Sequence, residues 1–195
     1  MSTLLMPDVP RTESAPSEAA LANLVLAFAA DPLVRWLLPD GESFLSTFPA
    51  FLRLFASGGP GHVRVDSTAG GTGLWLLPGA EMPADEGGLL LAGAIDPTRH
   101  DDVFELLGQI DAHHPTEPHH YLPFLGVDPA AQGRGFGSAL LRTGLDRADR
   151  DGLPSYLEAT SPRNRALYER HGFTVVGKIT SADSPALWPM IRNAR

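Results

Sequence analysis

The residues best placed to do chemistry lie between Val127 and Ser138, in the run Asp128-Pro129-Ala130-Ala131-Gln132-Gly133-Arg134-Gly135-Phe136-Gly137. An apolar stretch ends at Asp128-Pro129, glycine then recurs at every second position, and an amphipathic helical pattern follows. Glycine accepts positive φ and lets the backbone come close to a ligand. Successive amides can then converge on one concavity, to which a helix start adds partial positive charge. This is a cradle for an anion, and pyrophosphate is the natural guest. Arg134 and Arg142 are candidates for direct phosphate contacts. A strand-to-helix glycine turn also occurs as nothing more than a tight turn, so the segment alone leaves both readings open. No Gly-Lys-Ser/Thr follows, which excludes a P-loop. A dinucleotide fingerprint is approached by Gly133-x-Gly135 with Ser138 in the third-glycine place and Glu158 downstream. That motif begins late for a doubly wound sheet, and Glu158 sits inside a strand pattern instead of at its end.

His113, His114, His119 and His120 invite a metal reading, with Glu117 as a third ligand. Adjacent histidines in an extended chain point to opposite sides, and the helical His-x-x-x-His spacing is absent, so no metal is expected. A solvated polar loop accounts for them better. His120, beside a strand start, is a candidate acceptor-pocket residue or alternative base.

The elements that must position these residues follow from periodicity. Ser17–Ala30 is helical, ended by Asp31-Pro32, and Phe44, Phe48, Phe51, Leu52 and Phe55 mark a second helix containing Pro49. These phenylalanines read first as core. Residues 62–66 and 72–77 form a hairpin, Leu89–Ala92 reads as a short buried strand, and 102–112 as a helix. Tyr121–Val127 is an apolar strand covered on both faces, with Pro123 interrupting one ladder. A helix over 138–149, a strand over 154–160, a helix over 164–171 closed by Gly172, and strands over 173–177 and 186–190 complete the chain. The fold class is α/β (α+β), mostly antiparallel first and β-loop-α-β-α-β afterwards. One domain spans 1–195, with 1–16 read as a tail and the informative region at 117–177.

Composition bounds the function. The 195 residues carry 15 basic and 23 acidic side chains, net charge −8, with 43% hydrophobic residues and no cysteine. A chain of this length supports its own core. Without cysteine there is no disulfide framework and no Cys-based metal site. The acidic balance argues against nucleic acid and favours the approach of cationic small molecules. No apolar run is long enough for a membrane span, and the N-terminus lacks the features of a signal peptide, so a cytoplasmic protein is expected.

The pattern Val127-x-Pro129-x-x-Gln132-Gly133-x-Gly135-x-Gly137 resembles the acyl-CoA-binding signature of the GNAT superfamily of N-acetyltransferases. Asn164-Arg165-Ala166-Leu167-Tyr168-Glu169-Arg170-His171-Gly172-Phe173 resembles that family's second signature, in the right order and spacing. Ala27-Phe28-Ala29-Ala30-Asp31-Pro32 and Leu157-Glu158-Ala159-Thr160 are similar to members of the puromycin N-acetyltransferase type. The resemblance implies a twisted mixed central sheet flanked by helices, and acetyl transfer from acetyl-CoA to the amine of a small molecule. It implies that the backbone of Leu125, Gly126 and Val127 binds the pantetheine arm. Gln132, Gly133, Arg134, Gly135, Phe136, Gly137 and Ser138 would hold the pyrophosphate, and Asn164 would also touch the cofactor. It places Tyr168 at the family's tyrosine position, as proton donor to the departing thiolate. A phenol with an ordinary pKa of about 10 suits that task.

Glu158 is the candidate base, sharing one strand face with Tyr156, and burial in an apolar strand should raise its pKa. An ion pair with a nearby arginine is the competing reading. Many family members carry an acid on the strand before the glycine loop, and here Tyr121–Val127 has none. Trp36 and Trp75 are candidates to line the acceptor site, while Asp31 and Asp40 offer either a charge for a cationic amine or helix caps. Two other functions fit the same motifs: acetylation of protein or peptide N-termini, and a catalytically silent acyl-CoA sensor. A homodimer is left open.

Overall fold

The computed structural model describes residues 9–59, 61–81 and 84–195. In chain order the elements are β1 (Arg11–Glu13), α1 (Glu18–Phe28), α2 (Pro32–Leu37), α3 (Gly41–Phe55), β2 (Val63–Thr68), β3 (Gly71–Leu76), α4 (Ala84–Ala94), α5 (His100–His113), β4 (His120–Val127), α6 (Phe136–Asp151), β5 (Ser155–Ala159), α7 (Pro162–Arg170), β6 (Thr174–Val175) and β7 (Trp188–Arg192). The strands form one sheet in the order β1-β2-β3-β4-β5-β7-β6. All neighbouring pairs are antiparallel except β4–β5, so the sheet is mixed and its single parallel seam lies at the centre.

Alternation along the strands sends side chains to two cores. Val63, Val65, Leu74, Leu76, Tyr121, Phe124 and Tyr156 face α1, α2, α3, α4 and α5, where they meet Leu24, Val34, Phe48, Leu52, Leu91 and Val103. On the opposite face Trp75, Leu122, Leu157, Ala159 and Met190 pack against Leu141 and Leu145 of α6 and Tyr168 of α7. Full burial of one such leucine contributes about 2 kcal/mol.

Three expectations are corrected. Arg11–Glu13, read as part of a tail, pairs with Val65–Ser67 of β2, and Thr12 Oγ1 donates to the buried Asp66 carboxylate at 2.6 Å. A three-residue edge strand with every residue exposed leaves no alternation to detect; residues 1–8 of the same expected tail lie outside the described residues. Leu89–Ala92 belongs to α4, not to a strand. Gly87, Gly88 and Gly93 lower helix propensity and mask its period. Asp31-Pro32 starts a helix as well as ending one. Asp31 Oδ1 accepts from Leu33 N and Val34 N while Pro32 fills the first turn of α2, where its missing N–H costs nothing.

Candidate active site

The parallel seam opens as it runs. His120 pairs with Ser155 and Tyr121 with Tyr156, and no pairing continues beyond them. The β3 side of β4 remains laddered as far as Gly71↔Val127. The backbone polar groups of Leu125–Val127 on the β5 side are therefore left without a strand partner. Pro123 stands at the parting, as expected of a residue that cannot donate to a ladder.

Beyond β4, Asp128 caps a short 3-10 turn over Pro129–Ala131, and the chain enters α6 through Gly133 (φ 77°) and Gly135 (φ 86°). Gly135 is the N-cap of α6 and no side chain caps that helix. The first-turn amides are thus free to bind an anion. A Cβ at either glycine would meet no heavy atom within 4 Å, so both border open space. Leu125, Gly126, Val127, Gln132, Gly133, Gly135, Phe136, Gly137, Ser138, Asn164 and Tyr168 all line one cleft of about 360 Å³. These residues come from β4, the loop, α6 and α7. Arg134 is exposed and does not line it; Arg163 and Arg170 of α7 do. The basic residues beside the cleft were visible in the sequence, but which of them turn inward was not.

Gly126 brings α1 close to β4 at the cleft. A Cβ there would stand 2.6 Å from the Ala27 Cβ, so glycine is required by the packing. Tyr168 is 7% exposed, and its hydroxyl takes no hydrogen bond among the described residues. Burial first, then the Asp31 and Glu158 carboxylates, push its pKa well above the ordinary 10. The phenol is therefore protonated at every working pH. It is also a weaker acid than its residue type suggests, so it suits donation to a thiolate only as that charge develops.

A second cavity of about 290 Å³ adjoins the cleft on the helical side of the sheet, and Phe28 and Asp31 line both. Phe48, Phe51 and Phe55 of α3 and Phe124 of β4 form its apolar walls, and Phe124 takes its phenylalanine neighbours edge-on. The phenylalanine stripe thus serves as core and cavity wall together. Glu158 lines it too, as do Asp31, Asp111 and His114. Glu158 Oε2 accepts from the Tyr121 hydroxyl at 2.9 Å, while Oε1 is buried with no geometric hydrogen-bond partner. Burial raises the carboxyl to about 7, against the opposing influence of the neighbouring Tyr121 and Tyr156 hydroxyls, of which only that of Tyr121 stands in hydrogen-bond geometry. No arginine pairs with it among the described residues, so the ion-pair reading is not met. Asp31 Oδ2 accepts from Thr160 Oγ1 at 2.5 Å, and Asn164 Nδ2 donates to the same hydroxyl at 3.4 Å, tying α2 to β5 and α7.

Other candidates fall elsewhere. His120 is 1% exposed and bonds Asp151 Oδ2 at 3.1 Å away from both cavities, so it holds the base of β4 to α6. Trp75 is core against α6, Trp36 donates to Asp183 Oδ1 at 2.8 Å, and Asp40 caps α3. No group of three or more metal-ligating side chains occurs among the described residues. Nor is any of their helices long and apolar enough to cross a membrane.

Comparison with known proteins agrees with this geometry. Residues 84–173 match the acetyltransferase (GNAT) family. An uncharacterized N-acetyltransferase of Schizosaccharomyces pombe is 27% identical over 184 residues, covering 84% of this chain and 72% of the relative. A mycothiol acetyltransferase of Beutenbergia cavernae is 51% identical over 55 residues, covering 27% of this chain and 18% of its own length. A crystal structure from Corynebacterium glutamicum, described as histone acetyltransferase HPA2 and related acetyltransferase, superposes with a TM-score of 0.66. It is 27% identical, over 96% of this chain and 98% of that one. Residues 84–173 thus match the GNAT acetyltransferase family, and the fold around them is shared with its enzymes, which together support an acetyltransferase enzyme.

Proposed function

We propose that the protein transfers an acetyl group from acetyl-CoA to the amine of a small molecule with an apolar body. The observation that carries this is the phenylalanine-walled cavity beside the glycine cradle, to whose lining Asp31, Asp111 and Glu158 bring carboxylates. Its volume of about 290 Å³ is at the lower end of small-ligand sites. Apolar walls interrupted by a few carboxylates favour a molecule with a greasy body and a cationic amine. The finer likeness to puromycin N-acetyltransferases supports an amine acceptor of this kind without naming it.

Acetyl-CoA supplies an activated thioester. Main-chain groups of Leu125, Gly126 and Val127 that lack a strand partner on the β5 side hold the pantetheine arm. Gln132, Gly133, Gly135, Phe136, Gly137 and Ser138 embrace the pyrophosphate from loop and helix start, while Arg163 and Arg170, in place of the outward-facing Arg134, add charge and Asn164 closes the α7 side. An N–H near Val127 polarises the thioester carbonyl. Glu158, half ionised near neutrality, takes a proton from the ammonium so that nitrogen can attack. Tyr168 donates to the sulfur as it leaves.

Turnover on a panel of amines, with product masses, tests this. Acetylation of small apolar amines, reduced by Tyr168→Phe about 100-fold with CoA affinity retained, is the expected result. Product only from peptide N-termini shifts the reading to protein acetylation. CoA binding without any product makes the chain a sensor.

A further inference from the structure

Acetylating an ammonium releases two protons from nitrogen: one ends on the CoA thiol, and the other must reach solvent. Glu158 is partly buried where it lines the cavity, with Oε1 shut off from solvent and Oε2 held by the Tyr121 hydroxyl, so a proton on Oε1 needs a way out. His114 lines the acceptor cavity together with Glu158. It also lines another cavity of about 290 Å³ on the outer side, formed by Leu76–Ala80 and Pro115–His119. His114 and Tyr121 are the two residues common to both. The imidazole of His114 meets the Tyr121 and Tyr156 rings edge-on, with centroids 4.7 and 4.9 Å apart. Its Nε2 lies 3.0 Å from His119 Nε2.

Two ring nitrogens at that distance share one hydrogen, and the next bond along says whose it is. His119 Nδ1 stands 2.7 Å from the Glu117 carbonyl, which can only accept. His119 therefore carries its proton on Nδ1, its Nε2 is a lone pair, and His114 must donate from Nε2. The remaining nitrogen of His114, Nδ1, is then an unprotonated acceptor.

We propose that His114 and His119 form a proton relay carrying the amine's second proton from Glu158 out to solvent; this rests on Glu158 being the base. The N–H bond of the ammonium breaks as an O–H bond forms on Glu158. That proton crosses the shared cavity to His114 Nδ1, His114 passes its Nε2 proton to His119 Nε2, and His119 yields its Nδ1 proton to water in the outer cavity. No electrons move, and rotation of the two rings restores the starting tautomers. Burial, then the neighbouring His119, hold His114 down at about 4, against Asp111 of α5, which favours the charged form. Tyr121 of β4 and Tyr156 of β5 face it as neutral phenols. His114 thus passes protons on and does not store them. The hop from Glu158, held above the usual carboxylate range, to His114, held below the usual imidazole range, is therefore uphill.

Neither histidine touches the reacting atoms, so the test reads proton flow. With an amine that the wild type acetylates, His119→Gln should lower kcat near neutral pH by about tenfold and leave the KM for acetyl-CoA alone. The loss should shrink as pH approaches the amine's own pKa, and added imidazole should restore His119→Ala. A variant with wild-type kcat and pH profile, or a loss that neither pH nor imidazole relieves, overturns the relay and leaves the acetyltransferase reading standing. Nitrogen-15 NMR of the resting protein tests the pair without any turnover. It should find the Nε2–H tautomer at His114 and the Nδ1–H tautomer at His119, and the reverse assignment overturns the relay even where no acceptor is found. Failure of the wild type on every amine strikes instead at the proposed function.

Discussion

At Glu158 one physical cause, burial of a carboxylate, has consequences for both rate and stability. Its folded pKa of about 7 lies above its ordinary value of 4.5. The folded protein therefore favours the protonated form. Stability from this group is complete below pH 4.5 and is lost as pH rises through 7. A neutral isostere escapes that loss. Glu158→Gln should be more stable than wild type at pH 8 by up to about 3 kcal/mol and equal to it at pH 4, as read by urea unfolding. Its activity should fall, and the rise of rate through pH 7 expected of the wild type should be absent. An equal stability difference at both pH values would remove the buried-carboxylate account. Sequence alone placed Glu158 on one face of a strand with Tyr156. It did not reveal that Tyr121, 37 residues earlier, would supply the hydrogen bond.

The glycines that shape the cleft and its helices meet different demands. Gly135 combines positive φ with open space in the cleft, so Gly135→Val should weaken CoA binding at least about tenfold by filling that space. Gly152, at the other end of α6, has φ 69° and equally open surroundings. Gly152→Val carries a similar backbone strain of about 1–2 kcal/mol and should leave CoA affinity unchanged in calorimetry. Gly144 is a different case. A Cβ there overlaps the indole of Trp75, which is 1% exposed between β3 and α6. Gly144→Ala should cost about 2–3 kcal/mol by overpacking, seen as a lowered Tm without specific loss of CoA affinity in the folded fraction. The glycine pattern was legible as a turn, yet whether a given glycine admits a ligand, a helix or a tryptophan depends on what lies across from it.

For the whole molecule, the net charge of −8 sets a long-range field that draws cations and repels anions. A cationic acceptor should therefore be steered toward the protein. Raising ionic strength from about 0.01 M to about 0.15 M shortens the screening length from about 30 Å to about 8 Å. The kcat/KM for a cationic amine should drop several-fold over that range, while a neutral analogue of the same shape should bind indifferently to salt. A cationic acceptor insensitive to salt would show that local contacts alone capture it. CoA meets the opposite field, and Arg163 and Arg170 bring local positive charge to its cleft.

The sequence by itself determined what neighbours along the chain can specify: the strand–loop–helix order around Gly133 and Gly135, the α7 position of Tyr168, and the strand face of Glu158. These follow from backbone periodicity, capping and glycine conformation, all short-range properties. The cavity beside the cleft was decided only by tertiary structure, because its walls come from α1, α2, α3, α4, α5, β4 and β5. So was the sorting of the four loop histidines. His120 is tied to α6, while His114 and His119 are joined to each other beside the tyrosines of β4 and β5. Burial and charge at these positions arise from groups distant in sequence, and only the folded chain brings them within hydrogen-bond reach.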